Sequence, residues 1–247
     1  MKPRVAISIV IPAYNEEKLI GRCLTSLKNQ QFTRPYEIIV VNNNSTDATE
    51  KIARSFGVKV IHEPQQGVVF ARQRGLLFAH GAIIAGADCD SEYPPDWLEK
   101  IYNHFASNTR VVAAGGPGLA EKHPAWAYWI CELGYSLVNH YYQLTGHVLY
   151  LSAFNFAFKR KFFLTLGGYH TYLELGGGDE LDPLARLQKS GRVVFNSTLC
   201  VKMNTRRYRV GFLRWLFVHC FYYYILSYWL AKLFHRTLIR NQPVRNI

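Results

Sequence analysis

Short β-branched runs alternate with single helical stretches through the first 90 residues, and few folds accept that order. "VAISIVI" (5–11), "YEIIVVN" (36–42), "VKVIHE" (58–63) and "AIIAGAD" (82–88) read as buried strands. Between them, "EEKLIGRCLTSLKNQ" (16–30) places Leu19, Ile20, Cys23, Leu24 and Leu27 along one helix face. "NSTDATEKIARSFG" (44–57) reads as a capped helix stopped at Gly57, and "GVVFARQRGLLFAHG" (67–81) as a third helix. Apolar strands that are each followed by one helix predict βαβ units. The fold class is therefore α/β, with a Rossmann-like, mostly parallel sheet covered by helices on both faces. In such sheets ligands bind beyond the carboxyl ends of the strands. The loops "PAYNE" (12–16), "NNNSTD" (42–47) and "DCDSE" (88–92) fall at those ends and are expected to line one crevice.

The third of these loops poses a problem. Asp88 and Asp90 stand two residues apart at the end of an apolar strand. Like charges this close repel, and burying either one unpaired is costly, so something positive is expected beside them.

Beyond residue 90 the pattern changes. "PPDWLEKIYNHFA" (94–106) reads as a helix with prolines in its first turn, and "RVVAAGG" (110–116) as a strand. "PAWAYWICELGYSLVNHYYQL" (124–144) is a long aromatic helix, and "LSAFNFAFKR" (151–160) alternates like a strand. "GGGDELDPLARLQKSG" (176–191) is a glycine loop leading into a helix, and "RVVFN" (192–196) reads as the last strand. No repeat or low-complexity linker divides the chain. Its 247 residues suit one large domain, residues 1–210, with a tail at 211–247.

The ordered set "SIVIPAYNEEKLIGRCLTSLKNQ", "EIIVVNNNSTDAT", "GVVFARQRGL", "GADCDSEYPPDWL", "NFAFKRKFFLTLGGYH" and "GDELDPLARLQKSGRVVF" resembles glycosyltransferase family 2 over roughly residues 5–210. The resemblance implies a GT-A fold, a nucleotide-diphosphate sugar donor, a divalent metal (Mn2+ or Mg2+) and inversion at the anomeric carbon. It divides the domain into a nucleotide-binding half (1–90) and an acceptor and catalytic half (91–210). The positive partner of Asp88 and Asp90 would be the metal: Asp90 is the implied ligand, and Asp88 a contact to ribose or a metal-bound water. Cys89 lies between them in the same nucleotide-sugar site. A hard cation of this kind is held by one or two carboxylates together with substrate phosphate. By the same resemblance Pro12 and Ala13 offer backbone groups to the base, with Tyr14 and Glu16 beside base and ribose. Arg72 in "ARQRG" stands near the donor, with Gly67 in the turn before it. Asn42 occupies a position where the family usually has aspartate. Its carbonyl still accepts a hydrogen bond but brings no charge, which leaves uridine as the first reading of the base and guanosine as the second. In "GDELD" (178–182) the family's acids are swapped in type. By position Glu180 matches the base that inverting transfer needs, and by side-chain type Asp179 does; we take Glu180 first. Arg206 and Arg207 in "NTRRYR" could grip the diphosphate or an anionic acceptor, since the guanidinium fork matches phosphate.

The charge of +12 is located at one end. All 17 acidic residues lie at or before Asp182, and 29 minus 12 leaves 17 Lys and Arg there, so residues 1–182 sum to zero. The last 65 residues carry 12 Lys and Arg and no carboxylate. "WLFVHCFYYYILSYWLA" (215–231) lies inside this basic end. It is shorter than the roughly 20 apolar residues of a spanning helix. A peripheral amphipathic helix across 211–240, resting on a membrane and beside the aromatic helix 124–144, is the expectation. A lipid-linked hydroxyl acceptor would follow from it. Five scattered cysteines and an N-terminus without a leader-like run point to a reducing compartment, hence the cytoplasmic face of a membrane.

Two other classes compete. A nucleotidyltransferase would need a glycine-rich, lysine-bearing phosphate loop near the first strand, and "PAYNEEK" is not one. A nucleic-acid binder would spread its basic residues through a groove, whereas here they flank an apolar helix. No nucleic-acid partner is expected.

Overall fold

The computed structural model describes residues 5–120, 124–173, 178–206, 208, 211–214, 217 and 226–235. The first part alternates as the pattern predicts: β1 (Ile7–Ala13), α1 (Ile20–Lys28), β2 (Tyr36–Asn42), α2 (Thr49–Ser55), β3 (Lys59–His62), α3 (Val68–Phe78) and β4 (Ile83–Gly86). The second part comprises β5 (Ser91–Glu92), α4 (Trp97–Ser107), β6 (Val111–Gly115), β7 (Gly118–Ala120) and α5 (Ala125–Thr145). Then follow a 3-10 turn (Ala153–Asn155), β8 (Phe156–Lys159), α6 (Arg160–Thr165), α7 (Leu181–Ser190), β9 (Arg192–Phe195) and β10 (Val201–Met203). A short α8 (Phe212–Arg214) and α9 (Ser227–Phe234) complete it.

Seven strands form the central sheet in the order β3-β2-β1-β4-β8-β6-β9. Strand β1 pairs in parallel with β2 and β4, so Ile9 lies beside both Ile38 and Ala85. The chain runs outward from β1 to β3 and returns through α3 to the other side of β1. That reversal places the switch point, and with it the crevice, between the carboxyl ends of β1 and β4.

Alternate residues of β1 feed opposite cores, because side chains on a strand alternate faces. Ile7, Ile9 and Ile11 pack with Leu24 and Leu27 of α1 and with Trp97 and Ile101 of α4. Val10 points the other way, into a core with Leu76 of α3, Val138 of α5 and Leu184 of α7. Helix α3 lies close on the sheet at Gly75, where an added Cβ would meet Val10 Cγ1 at 2.2 Å.

Three expectations need correction. The strand read at 151–160 is confined to β8, and it runs antiparallel to both β4 and β6. Residues 151–155 turn inward instead. Asn155 explains why: its amide donates to the carbonyls of Pro117 (3.2 Å) and Leu199 (2.6 Å) and accepts from Trp97 Nε1 (2.9 Å). Second, "RVVFN" is not the last strand. β10 follows it and joins β5 and β7 in a second, three-stranded sheet. Strands of two or three residues are too short to show a period. Third, the prolines precede α4, and the Trp97 N–H bonds back to the Pro94 carbonyl at 3.0 Å.

Candidate active site

The loops after β1 and β2 are laced together. The Asn15 N–H donates to Ser45 Oγ (3.1 Å), Asn15 Oδ1 accepts from the Thr46 N–H (2.8 Å), and the Glu16 N–H donates to Thr49 Oγ1 (2.7 Å). Asn15 adopts a left-handed backbone (φ 52°), which asparagine tolerates better than most residues. Pro12 and Ala13 end β1, and Cys89 Sγ donates to the Pro12 carbonyl at 3.3 Å. Burial pushes the Cys89 thiol up, so it sits there as a neutral donor. Tyr14 is half-buried beside them. Asn42 is buried, and its amide is engaged within the protein: Oδ1 accepts from the Ser45 N–H (3.1 Å) and Nδ2 donates to Glu50. Gly67 begins α3 with φ 144°, its N–H held by Asn43 Oδ1 at 2.8 Å.

Two arginines stand where the sequence demanded positive charge. Arg72, only 2% exposed on α3, donates from Nη2 to Asp88 (2.7 Å) and from Nε to Asp179 (2.9 Å). Burial opposes its charge, but the two carboxylates outweigh that and raise its pKa above the ordinary arginine value. Arg206 grips Glu16 through both terminal nitrogens and reaches Asp90 Oδ2 at 3.2 Å. Residues far apart in the chain thus meet in one cluster. Among the described residues four carboxylates (Glu16, Asp88, Asp90, Asp179) and two guanidinium groups meet there. Glu180 follows Asp179 directly; its carboxylate accepts from the Ala153 N–H (3.0 Å) and from the Tyr150 hydroxyl (3.1 Å). Arg207 and Gly176 lie outside the described residues, as does most of the tail.

Sequence reasoning missed the supports of this cluster. Tyr93, inside the "DCDSEYPPDW" stretch, accepts from the Asp88 N–H (2.9 Å) and donates to the Phe154 carbonyl (3.2 Å). Burial raises its pKa well above the usual phenol value, so it remains a donor. The Cys23 thiol, also raised by burial, donates to the Asp88 carbonyl at 3.3 Å. An aromatic residue three positions after a carboxylate pair was the available signal for Tyr93. For Tyr150 and Ser152 there was none. Asp182, unassigned in the sequence, is held by Arg186 (2.7 Å), with His170 Nδ1 3.2 Å away.

Among the described residues no three His, Cys, Asp or Glu side chains converge as a self-sufficient metal cage. The donor set nevertheless suits a hard divalent cation that arrives with a diphosphate, since that needs only one or two carboxylates.

The chain is similar to several known proteins. Glycosyltransferase AglE of Haloferax volcanii is 37% identical over 117 residues, 44% of this chain and 38% of that protein. The chain spans about a third of the length of this relative and of the Bacillus subtilis relative EpsH, of which 32% is covered. A glucosyl-dolichyl phosphate glucuronosyltransferase of the same archaeon is 24% identical over 87% of this chain and 74% of its own length. Two solved structures share the fold. The mannosyltransferase PcManGT of Pyrobaculum calidifontis, in complex with GDP-Man and Mn2+, has TM-score 0.66 and 20% identity, covering 98% of this chain and 66% of that one. S. aureus TarS 1-349 with UDP has TM-score 0.65 and 18% identity, covering 81% and 61%. The sequence pattern described as "Glycosyl transferase family 2" matches residues 8–167, more than half of the chain. The protein is a member of glycosyl transferase family 2, built on a GT-A fold.

Proposed function

We propose that the protein transfers a sugar, with inversion, from a nucleoside diphosphate donor to a hydroxyl acceptor, assisted by Mn2+ or Mg2+. UDP-sugar is the first donor reading and GDP-sugar the second. The observation that supports this is the convergence at the switch point of Glu16, Asp88, Asp90 and Asp179 with Arg72 and Arg206, carboxylates that suit a hard cation and guanidinium forks that suit phosphate.

Asp90, with Asp88 beside it, would hold the cation, whose chemistry is to neutralise charge on the departing diphosphate. Arg72 holds Asp88 and Asp179 in place. Arg206 is drawn off Asp90 and Glu16 as phosphate oxygens enter, since its fork suits either partner. Pro12, Ala13, Tyr14 and Cys89 shape the nucleotide wall, with Asn42 and Gly67 on the side of β2 and α3. Asp179 is engaged by Arg72, while Glu180 accepts from a backbone N–H and a phenol. Glu180, which also matches the base by position in "GDELD", takes the proton from the incoming hydroxyl in this reading. In this reading residues 1–90 carry the nucleotide and residues 91–210 the acceptor chemistry.

The test is thermal melting with UDP, GDP, CDP and TDP, each with and without Mn2+ or Mg2+. UDP or GDP at about a hundred times its Kd is expected to raise Tm by roughly 5–10 °C, and only with the cation. No shift with any pairing would overturn the reading.

A membrane-presented acceptor is supported by two apolar faces. α5 exposes Trp129, Leu133, Leu137, Tyr141 and Leu144, which recur every three or four residues. α9 buries Tyr228 and Ala231 against Leu173 and exposes Trp229 (60%) and Leu233 (71%), with Lys232 over the Trp229 ring. No helix of the described residues is long and apolar enough to cross a membrane, so contact would be peripheral. The combined substitution Trp229→Ser and Leu233→Ser is expected to reduce flotation with anionic liposomes several-fold. Undiminished flotation would remove α9 from the argument.

A further inference from the structure

Glu180 is connected to a line of hydroxyls whose hydrogens all point toward it. Its Oε2 accepts from Tyr150 Oη at 3.1 Å, and Tyr150 Oη in turn accepts from Ser152 Oγ at 3.2 Å. Ser152 Oγ lies 2.7 Å from Tyr135 Oη on α5. A serine hydroxyl has one hydrogen, and here it is given to Tyr150. Tyr135 must therefore be the donor to Ser152. The direction is settled along the whole line: Tyr135 to Ser152, Ser152 to Tyr150, Tyr150 to Glu180. Burial raises the Tyr135 pKa above the ordinary phenol range, which keeps its hydrogen in place. Ser152 and Glu180 are both buried, where aligned hydrogen bonds polarise one another. The Ala153 N–H holds Oε1 at 3.0 Å, so both carboxylate oxygens are pinned and the plane of the group is set.

We infer that Tyr150 and Ser152, anchored by Tyr135, are positioning residues for the base: they aim the Glu180 carboxylate at the acceptor hydroxyl. The inference rests on Glu180 being the base.

Tyr150→Phe keeps the ring that packs against Tyr135, at 6.5 Å between centroids, and removes one oxygen. Turnover of a panel of UDP- and GDP-sugars with Mn2+, water serving as acceptor, would be measured for the full chain and its variants. Tyr150→Phe and Ser152→Ala are expected to lower kcat about tenfold, with the donor KM and the nucleotide-induced Tm shift unchanged. Ser152→Thr, which keeps the hydroxyl, is expected to restore kcat. Glu180→Gln is run beside them. If Glu180→Gln loses turnover while Tyr150→Phe keeps its full kcat, the inference fails and the base assignment stands. If Glu180→Gln keeps full turnover, the base assignment fails and the inference with it. If Tyr150→Phe loses kcat only together with a raised KM and a lowered Tm, the role is structural and the inference is overturned.

Discussion

Replacing Asp90 by asparagine is expected to lower kcat by about 10²–10³ without unfolding the protein. The change keeps shape and removes one charge from the cluster of acids around Arg206 and Arg72. A neutral amide is a poorer ligand for a hard cation, and the charge that develops on the diphosphate loses its counterweight. Removing one preorganised electrostatic group from an active site costs about this much. In the variant Arg206 keeps Glu16 as its partner, and the amide can still accept from it. Two measurements check the expectation together: turnover against Mn2+ concentration, and Tm. A shifted metal requirement at unchanged Tm is the expected pair. A variant with unaltered turnover and metal requirement would remove Asp90 from the chemistry.

The largest stability effect is expected at Arg72. Its side chain is 2% exposed and bridges Asp88 and Asp179 at 2.7 and 2.9 Å. Arg72→Ala would leave both carboxylates without their shared cation in a nearly closed site. Breaking a buried ion pair from one side costs about 3–5 kcal/mol, or roughly 6–20 °C in Tm for a chain of this size. The pH dependence follows from the sign. The Arg72 pKa is raised in the folded protein, so the stability it confers is present below the unfolded arginine value and is lost only as pH rises through the folded one. In the usual working range the arginine stays charged. The penalty of the substitution is therefore expected to persist from neutral to mildly alkaline pH. Melting curves of both proteins over that range test this; a gap that closes there would contradict the assignment.

Much of the frame was legible from residue order. Uninterrupted apolar runs in β1, β2 and β4 admit only strands buried on both faces, and the helices between them admit only crossovers. That alone placed the loops at 12–16, 42–47 and 88–92 at one end of a sheet. The repulsion between Asp88 and Asp90 also announced a cation. It did not announce which one, because Arg72 lies 16 residues from Asp88 and Arg206 lies 116 from Asp90. The strand misread at 151–160 failed for a related reason. Alternation there reflects packing, and the side chain of Asn155 makes bonds to carbonyls 38 and 44 residues distant.

The sequence by itself determined the parallel run of β1 to β4 and the gathering of acids at its carboxyl end, because these follow from local periodicity and from the order of elements. Only the tertiary structure decided which arginine neutralises which acid, that Asn42 spends its amide inside the protein, and that a directed line of hydroxyls ends on Glu180. Such pairings depend on distances of about 3 Å between groups far apart in the chain, and neither propensity nor spacing carries that information.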